Sequence, residues 1–491
     1  MNNANSSDRS AKKTNFAGDV LKLVSGTAFA QVLTILASPF LTRLYGPEAF
    51  GLLALFSSIT SIISVISCLR YELAILLPKT DKEAANVLAV SLGFVVLISI
   101  LTIPIVWLGR SVILDLLKTS TLVPYLWLVP PTVFFSGVFL ALNYWNSRTK
   151  HFGRLSVAQA LQSFTTTSTQ LGMGYAGHGI GGSLIGSSLV GSALSSLVLS
   201  RQIWRDDSHL FKQSISWRGM LAGLRCYAKF PLYDVWAALL NSISWQLPTL
   251  LLSAFFSNSV VGYYALAFRL MNLPMIFIGR AMGQVFLQLA SIAKYNGTLP
   301  KLVEQTLINL IQLVIFPLLM IILIGHDLII FVFGNRWAES GIYLQILGLW
   351  GIIWLITSPI DDLLQILERQ EESLCIHAAI LLSRILGLSM GGYIGNARIS
   401  LLLFSISGVV VYSYLLIRVI YLSGASLNII SRKFISEIMF ILPVAILVIT
   451  MHLLNANSAL IIAMTSVITI TFFYFRLRNK ISLISIKKEN K

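Results

Sequence analysis

Apolar stretches of membrane-spanning length recur along almost the whole chain of 491 residues. A hydrocarbon core about 30 Å thick needs about 20 apolar residues in an α-helix. Only 11% of the residues are charged, against roughly 25% in soluble domains. The mean hydropathy is +0.79, so most side chains must face lipid or other buried helices. We therefore predict an all-α integral membrane protein of about 14 transmembrane helices, with no room for a separate soluble domain.

The predicted spans are separated by charged or Gly/Pro-containing segments. They cover residues 21–43, 48–69, 84–108, 122–146, 155–176, 180–201, 230–252, 258–281, 303–325, 340–362, 374–395, 398–420, 433–453 and 457–475. The span 155–176 is the least apolar, because Gln and Thr side chains crowd it.

The distribution of lysine and arginine predicts the orientation of these helices. Short cytoplasmic loops of membrane proteins carry an excess of both residues. If the N-terminus is cytoplasmic, 29 of the 36 basic residues fall on cytoplasmic segments, five on outer loops and two within spans. This favours an even number of helices with both termini cytoplasmic. The net charge of +16 then reflects topology and does not indicate nucleic-acid binding.

An internal repeat relates segments that lie 211 residues apart. Residues 44–55 align with residues 255–266, and both segments end in Gly-x-x-Ala-Leu at the start of a predicted helix. Because both copies enter the turn in the same direction, we predict two parallel, pseudo-symmetric lobes of six helices each. The predicted parts are a cytoplasmic tail (1–20), an N-lobe (21–201), a basic cytoplasmic linker (202–229), a C-lobe (230–420), two further helices (421–475) and a basic cytoplasmic tail (476–491).

Five segments carry a resemblance to a known family. They are residues 41–51, residues 69–75 with their Arg-Tyr-Glu sequence, residues 230–233, residues 253–256, and residues 261–270 with Pro274. These segments resemble polysaccharide-biosynthesis flippases of the O-antigen transporter (Wzx) type, in the multidrug/oligosaccharidyl-lipid/polysaccharide exporter superfamily. The resemblance implies a two-lobe transporter of the bacterial inner membrane. By alternating access, such a transporter would move an undecaprenyl-pyrophosphate-linked oligosaccharide from the inner to the outer leaflet.

The resemblance also bears on partners and cofactors. It implies the lipid-linked oligosaccharide as substrate, contact with polysaccharide polymerase and chain-length proteins, and no cofactor. Since the chain has no nucleotide-binding loop, the energy would come from an H⁺ or Na⁺ gradient, the membrane potential or the supply of substrate.

Arginines inside the predicted spans are the main binding candidates. A charged side chain at mid-membrane costs about 2.5–3.5 kcal/mol and usually faces a cavity or a partner. Arg269 and Arg280 share one helix face with Asn272. Arginine presents a planar fork that matches phosphate oxygens, so we predict that this stripe binds the pyrophosphate. The alternatives are interfacial anchoring for Arg280 and a structural ion pair, for example with Asp234, for Arg269.

Three further arginines are candidates for the same path. Arg384 lies near the middle of its span and is a second candidate cavity cation. Arg43 and Arg70, at the ends of their spans, are candidates for the cavity mouths. Their alternative is interface anchoring, together with a local ion pair between Arg70 and Glu72.

Polar and acidic residues complete the predicted site. Gln162 and Thr166 belong to a polar band that either lines a wet sugar path or forms interhelical hydrogen bonds. Asp234 and Glu72 are candidates for binding a coupling proton or Na⁺. Asp234 lies near the predicted cytoplasmic end of its helix, which is equally compatible with a solvated position.

Catalytic motifs are missing from the sequence. It contains no Gly-x-Ser-x-Gly elbow, no His-Glu-x-x-His and no Asp-rich metal motif, so we predict no enzyme activity and no metal site. A membrane polymerase or ligase would need large outer loops, and the predicted ones are short. A multidrug exporter is the alternative among transporters, but its cavity would favour carboxylates and aromatic residues, whereas the charges within these spans are mainly basic.

Overall fold

The computed structural model describes residues 16–117, 119–275, 280–454, 456–469, 471–472 and 474. Within these ranges the regular secondary structure is helical throughout and contains no strand. This confirms the all-α prediction.

The first compact unit extends from Met1 to Gly262. Its helices are α1 (Phe16–Leu44), α2 (Pro47–Val65), α3 (Asp81–Leu117), α4 (Val129–Thr149), α5 (Phe152–Tyr175), α6 (Gly181–Ser214), α7 (Trp217–Cys226), α8 (Val235–Phe255) and the start of α9 (Asn258–Pro274). A 3-10 segment, Ser120–Leu128, leads into α4, and a π-helical turn, Phe230–Asp234, leads into α8. In this unit α5 packs against α1 and α6, while α8 packs along α2.

The second compact unit extends from Tyr263 to Lys491. Besides the rest of α9, it contains α10 (Arg280–Tyr295), α11 (Leu299–Phe333), α12 (Ala338–Thr357), α13 (Gln370–Ile394), α14 (Ala397–Ser423), α15 (Leu427–Leu453) and α16 (Ser458–Thr469). Here α12 packs between α11 and α14, α13 packs on α14, and α15 packs on α11.

The helix lengths match a multi-pass membrane protein. Among the described residues, ten helical segments are long and apolar enough to cross a membrane, and three shorter apolar helices accompany them. The predicted span 155–176 corresponds to α5, whose many Gln and Thr residues keep it out of those ten. The predicted single span 258–281 corresponds to α9 and the first residues of α10, which continues to Tyr295. The number of 14 spans stays a prediction.

Candidate functional site

The first turns of α2 and α9 meet in a reciprocal close contact. A Cβ on Gly51 would overlap the backbone carbonyl oxygen of Asn258, and a Cβ on Gly262 would overlap that of Pro47. Only glycine allows the two backbones to approach this closely. Pro47 and Asn258, like Gly51 and Gly262, are equivalent positions of the 211-residue repeat. Equivalent positions of the two copies of the repeat are therefore in contact. We call this contact between Pro47, Gly51, Asn258 and Gly262 the glycine crossing.

Local sequence explains why α2 starts where the crossing needs it. Gly46 is the extended N-cap residue and Pro47 occupies the first turn, where its missing N–H has no helical acceptor to lose. Glu48 adds a negative charge at the positive end of the helix dipole. Its Oε1 also accepts a hydrogen bond of 3.3 Å from Ser259 Oγ. Glu48 and Ser259 are another pair of equivalent positions of the repeat.

A second contact joins α2 to α8 near the middle of both helices. Ser58 Oγ donates a 2.9 Å hydrogen bond to Gln246 Oε1. Each side chain thereby satisfies a polar group that would be costly to expose in an apolar environment. Contacts between α2 and the α8–α9 region therefore extend from the crossing to the middle of α2.

Beyond the C-terminus of α2 the backbone makes a left-handed turn. Leu69 has a φ of 46° and Arg70 a φ of 64°, and neither residue is glycine. The left-handed conformation costs such residues about 1–2 kcal/mol each. Arg70 then precedes a single helical turn, Tyr71–Ala74, which carries the buried Glu72. Strained backbone held in place by its surroundings is often found at functional sites.

Arg70 bridges two carboxylates. Its Nε donates to Asp234 Oδ2 at 2.6 Å, and its Nη1 donates to Glu72 Oε1 at 3.3 Å. The local pair with Glu72 is therefore present, and Asp234, for which pairing with Arg269 was one possibility, pairs with Arg70. The side chain of Glu72 is fully buried, whereas that of Asp234 is 41% exposed. We call Arg70, Glu72 and Asp234 the Arg70 latch, because it joins the end of α2 to the π-turn before α8.

One oxygen of the latch is unsatisfied. Glu72 Oε2 is inaccessible to solvent and has no hydrogen-bond partner among the described residues. Burial raises the pKa of Glu72 to about 6; a hydrogen bond from its own backbone and the Arg70 guanidinium oppose this shift, and the Asp234 charge adds to it. With one cation and two carboxylates, the ionised latch carries one excess negative charge, so a bound proton would neutralise it.

Arg384 lies deep inside the second unit. It is 4% exposed, and its Nη2 donates to the hydroxyl of Tyr412 on α14 at 3.4 Å. Its guanidinium carbon lies 6.0 Å from the ring centroid of Trp350 on α12. Trp350 in turn stacks on Trp354, with ring centroids 5.1 Å apart. The Trp350 ring thus attracts the Arg384 guanidinium by a cation–π interaction, which is worth about 0.5–2 kcal/mol.

The predicted Arg269/Asn272/Arg280 stripe is described in part. Arg269 and Asn272 are half-buried on α9, and Arg280 begins α10, although its side chain lies outside the described residues. Arg43 is exposed at the end of α1. The binding roles of these residues stay predictions.

The polar face of α5 is used in packing. Gln162 Nε2 donates to Ser192 Oγ on α6 at 3.2 Å, and a Cβ on Gly191 would overlap Thr166 Oγ1. Of the two roles left open for Gln162 and Thr166, these contacts favour interhelical hydrogen bonding and close packing. The side chain of Thr166 occupies the space beside Gly191 of α6 that a larger residue would fill.

One polar cluster was not singled out from the sequence. Asp327 of α11, 8% exposed, accepts a 2.8 Å hydrogen bond from Ser458 Oγ and lies 3.3 Å from His452 Nε2. An aspartate within a long apolar run was the available signal, because such a residue usually has a partner inside the protein.

Comparison with known proteins agrees with this architecture. A family model described as polysaccharide biosynthesis protein matches residues 40–341. The teichuronic acid biosynthesis protein TuaB of Bacillus subtilis (strain 168) is 23% identical over 171 residues. That match covers 35% of this chain and 35% of TuaB, so it spans about a third of the curated relative.

Solved structures share the fold at low sequence identity. The lipid II flippase MurJ, in its inward closed conformation, aligns with a TM-score of 0.72 and 15% identity over 94% of this chain and 99% of that chain. A multidrug resistance MATE family transporter of the MOP superfamily, in an inward-facing conformation, aligns with a TM-score of 0.63 and 16% identity over 81% of this chain and 96% of that chain. At these identities the likeness concerns the fold. Since the family match extends over more than half of its length, the chain belongs to the polysaccharide biosynthesis protein family, on the fold shared by MurJ and the MATE transporters.

Proposed function

We propose that this protein flips an undecaprenyl-pyrophosphate-linked oligosaccharide from the inner to the outer leaflet of a bacterial inner membrane. The observation that carries the proposal is the family match over residues 40–341, on a fold that a solved lipid II flippase shares. The family supplies the link to polysaccharide synthesis, and the fold supplies the link to lipid transport. Both termini would be cytoplasmic, as the positive-inside distribution favours.

The diphosphate would be bound by cationic side chains in the second unit. Arg384 supports this role, since burying a guanidinium in a membrane helix is costly and such residues generally serve a substrate path or a partner. Arg269, Asn272 and Arg280 are the other candidate ligands, with Arg43 at a mouth of the path. Gln162 and Thr166 are weaker candidates, because their contacts already serve the packing of α5 on α6.

Transport would proceed by alternating access. The N-lobe (21–201) and the C-lobe (230–420) would rock while the lipid tail stays in the bilayer and the head group moves from one side of the membrane to the other. Polymerase and chain-length proteins would take over the exported unit.

A multidrug exporter is the second candidate, because a MATE transporter shares the fold. Exporters of organic cations need carboxylates to hold their substrate, whereas Arg269 and Arg384 are cations within the predicted spans. This difference favours an anionic substrate. The fold, which a lipid II flippase and a MATE transporter share, supports a transporter over a polymerase or ligase.

Replacement of Arg269 tests the proposal. In a deletion strain complemented with Arg269→Ala, we expect loss of surface glycan and accumulation of lipid-linked units on the cytoplasmic side, at unchanged protein abundance in the membrane. Arg269→Lys should restore export only in part if the fork of the guanidinium matters. The matched control is Arg336→Ala, at an exposed arginine. Normal export in the Arg269→Ala strain would refute the assignment, and drug efflux with intact glycan would favour the exporter.

A further inference from the structure

The Arg70 latch, the Ser58–Gln246 bond and the glycine crossing all attach α2, or the segment that follows it, to the α8–α9 region. The glycine crossing lies at the start of α2, the Ser58–Gln246 bond near its middle, and the latch beyond its end. The crossing is a backbone contact and the middle bond is between uncharged groups. The latch is therefore the contact in this series that pairs ionisable groups with each other, since Glu48 at the crossing bonds to the uncharged Ser259.

The element that carries Asp234 is suited to move. Asp234 ends a π-helical turn, Phe230–Asp234, which contains Pro231. Proline has no N–H to donate, and π-helical turns occur frequently at functional sites within helices. A small change in this turn would withdraw Asp234 from Arg70 without unfolding α8.

The unsatisfied oxygen of Glu72 favours a proton over a metal ion as its ligand. A sodium ion would need several oxygen ligands around it, and Glu72 Oε2 is buried with no hydrogen-bond partner among the described residues. Within the described ranges, no group of three or more His, Cys, Asp or Glu residues could hold a metal ion. A proton requires no such space and removes the excess negative charge of the latch.

We propose that Glu72 binds a proton when the Arg70 latch is closed and releases it to water when the π-turn withdraws Asp234 from Arg70. The proton thereby stabilises the attachment of α2 to α8. The released proton has a route to solvent past the partly exposed Asp234. The proposal deepens the proposed function, since it assigns proton coupling to a movement that rests on that function being transport.

Linkage gives the direction of the pH effect. Glu72 faces Arg70 and Cys68 from its own segment, Asp234 from the π-turn and Tyr144 from α4. When Asp234 withdraws, its negative charge no longer lies beside Glu72, whereas the positive charge of Arg70 remains there. The pKa of Glu72 is therefore lower in the open latch than the value of about 6 in the closed latch. Protons therefore favour the closed latch, and this stabilisation is lost as the pH rises through about 6.

Distance measurement on the full-length protein tests the proposal directly. Spin labels at Leu77→Cys and Leu232→Cys, two exposed positions, would report the distance across the latch in liposomes, with Cys226 and Cys375 replaced by serine. We expect a short distance to dominate at pH 5 and a longer population to grow towards pH 7.5. The ratio of the two populations should change by at most about tenfold per pH unit, as one linked proton requires.

Two variants and a control decide the outcome. Glu72→Gln mimics the protonated group and should keep the short distance at every pH, whereas Glu83→Gln, at an exposed carboxylate on α3, should respond as the wild type does. If Glu72→Gln does not fold, Asp234→Asn removes the charge on the π-turn that pairs with Arg70 and should show the longer distance at every pH. A wild-type ratio that is independent of pH, or a Glu72→Gln protein that still responds to pH, would overturn the proposal.

Failure of this proposal and failure of the flippase assignment are separable. The distances are measured without substrate, so a pH-independent latch would leave the export result with Arg269→Ala unaffected. A pH-dependent latch in a protein that exports no glycan would support proton coupling and refute the proposed lipid-linked oligosaccharide as substrate.

Discussion

Replacement of Gly51 by alanine would show how far the protein depends on the glycine crossing. The added Cβ would overlap the carbonyl oxygen of Asn258, lie 2.7 Å from its carbonyl carbon and lie 3.1 Å from the amide nitrogen of Gly262. Carbon atoms in contact prefer separations of about 3.5–4.0 Å, so the two helices would have to move apart by about 1 Å. Because the obstacle is backbone, no side-chain rotation relieves it. Overpacking of this kind costs about 1–3 kcal/mol.

Gly93 on α3 provides the matched control, because a Cβ there would meet no atom within 4 Å. Alanine at a helix-interior glycine position is favoured by up to about 1 kcal/mol. We therefore expect Gly93→Ala to match or exceed the wild type in Tm, and Gly51→Ala to fall several degrees below it, in thermal unfolding of the purified proteins in one detergent. In a background of Glu48→Cys with Ser259→Cys, Gly51→Ala should also lower the yield of disulfide across the crossing.

The reasoning is refuted if Gly51→Ala unfolds at the same temperature as Gly93→Ala and its disulfide yield is unchanged. Such a result would mean that α2 and α9 separate without cost, so that the crossing contributes nothing to the conformation described above. Gly262→Ala, at the equivalent position of the repeat, should behave as Gly51→Ala does, because its Cβ would overlap the carbonyl oxygen of Pro47.

Three further replacements test individual contacts. Ser458→Ala removes the 2.8 Å hydrogen bond to the buried carboxylate of Asp327, which should cost about 1.5–3 kcal/mol in thermal unfolding; an unchanged Tm would show that this bond does not stabilise α16. Gln162→Leu removes the bond to Ser192 and should lower stability by about 0.6–2 kcal/mol while glycan export continues; lost export at unchanged stability would place this residue on the sugar path instead. Arg384→Lys keeps the charge but loses the planar guanidinium beside its aromatic neighbours, so export should fall at constant protein abundance, and full export would mean that charge alone suffices.

The class of protein could be predicted from the sequence because hydropathy is a local property. A stretch such as residues 303–325 is apolar enough to span a membrane whatever its neighbours are. The repeat was also readable, since Gly51 and Gly262 stand in the same local pattern. The sequence could not predict that the two glycines contact each other, because sequence similarity between two copies of a motif does not show where they lie relative to each other.

The partners of polar residues were predicted only where they are close in the chain. Arg70 and Glu72 are two residues apart, and their pair was anticipated as a local contact. Asp234 lies 164 residues from Arg70, and from the sequence it could pair with Arg269, bind a coupling ion or be solvated. The packing of α8 along α2 decided for Arg70 instead, because it brings the start of α8 to the end of α2.

The polar residues of α5 show the same boundary between sequence and structure. The Gln and Thr content by itself determined that α5 would be costly against lipid and needs polar neighbours. Whether those neighbours are sugar or protein depended on which helix covers the polar face, and α6 covers Gln162 and Thr166 with Ser192 and Gly191. The sequence thus determined which helices form and what each one needs to bury, because hydropathy, charge and helix-breaking residues act locally. Tertiary structure decided which groups satisfy those needs, because hydrogen bonds and ion pairs reach only about 3 Å and helix packing alone brings distant residues that close.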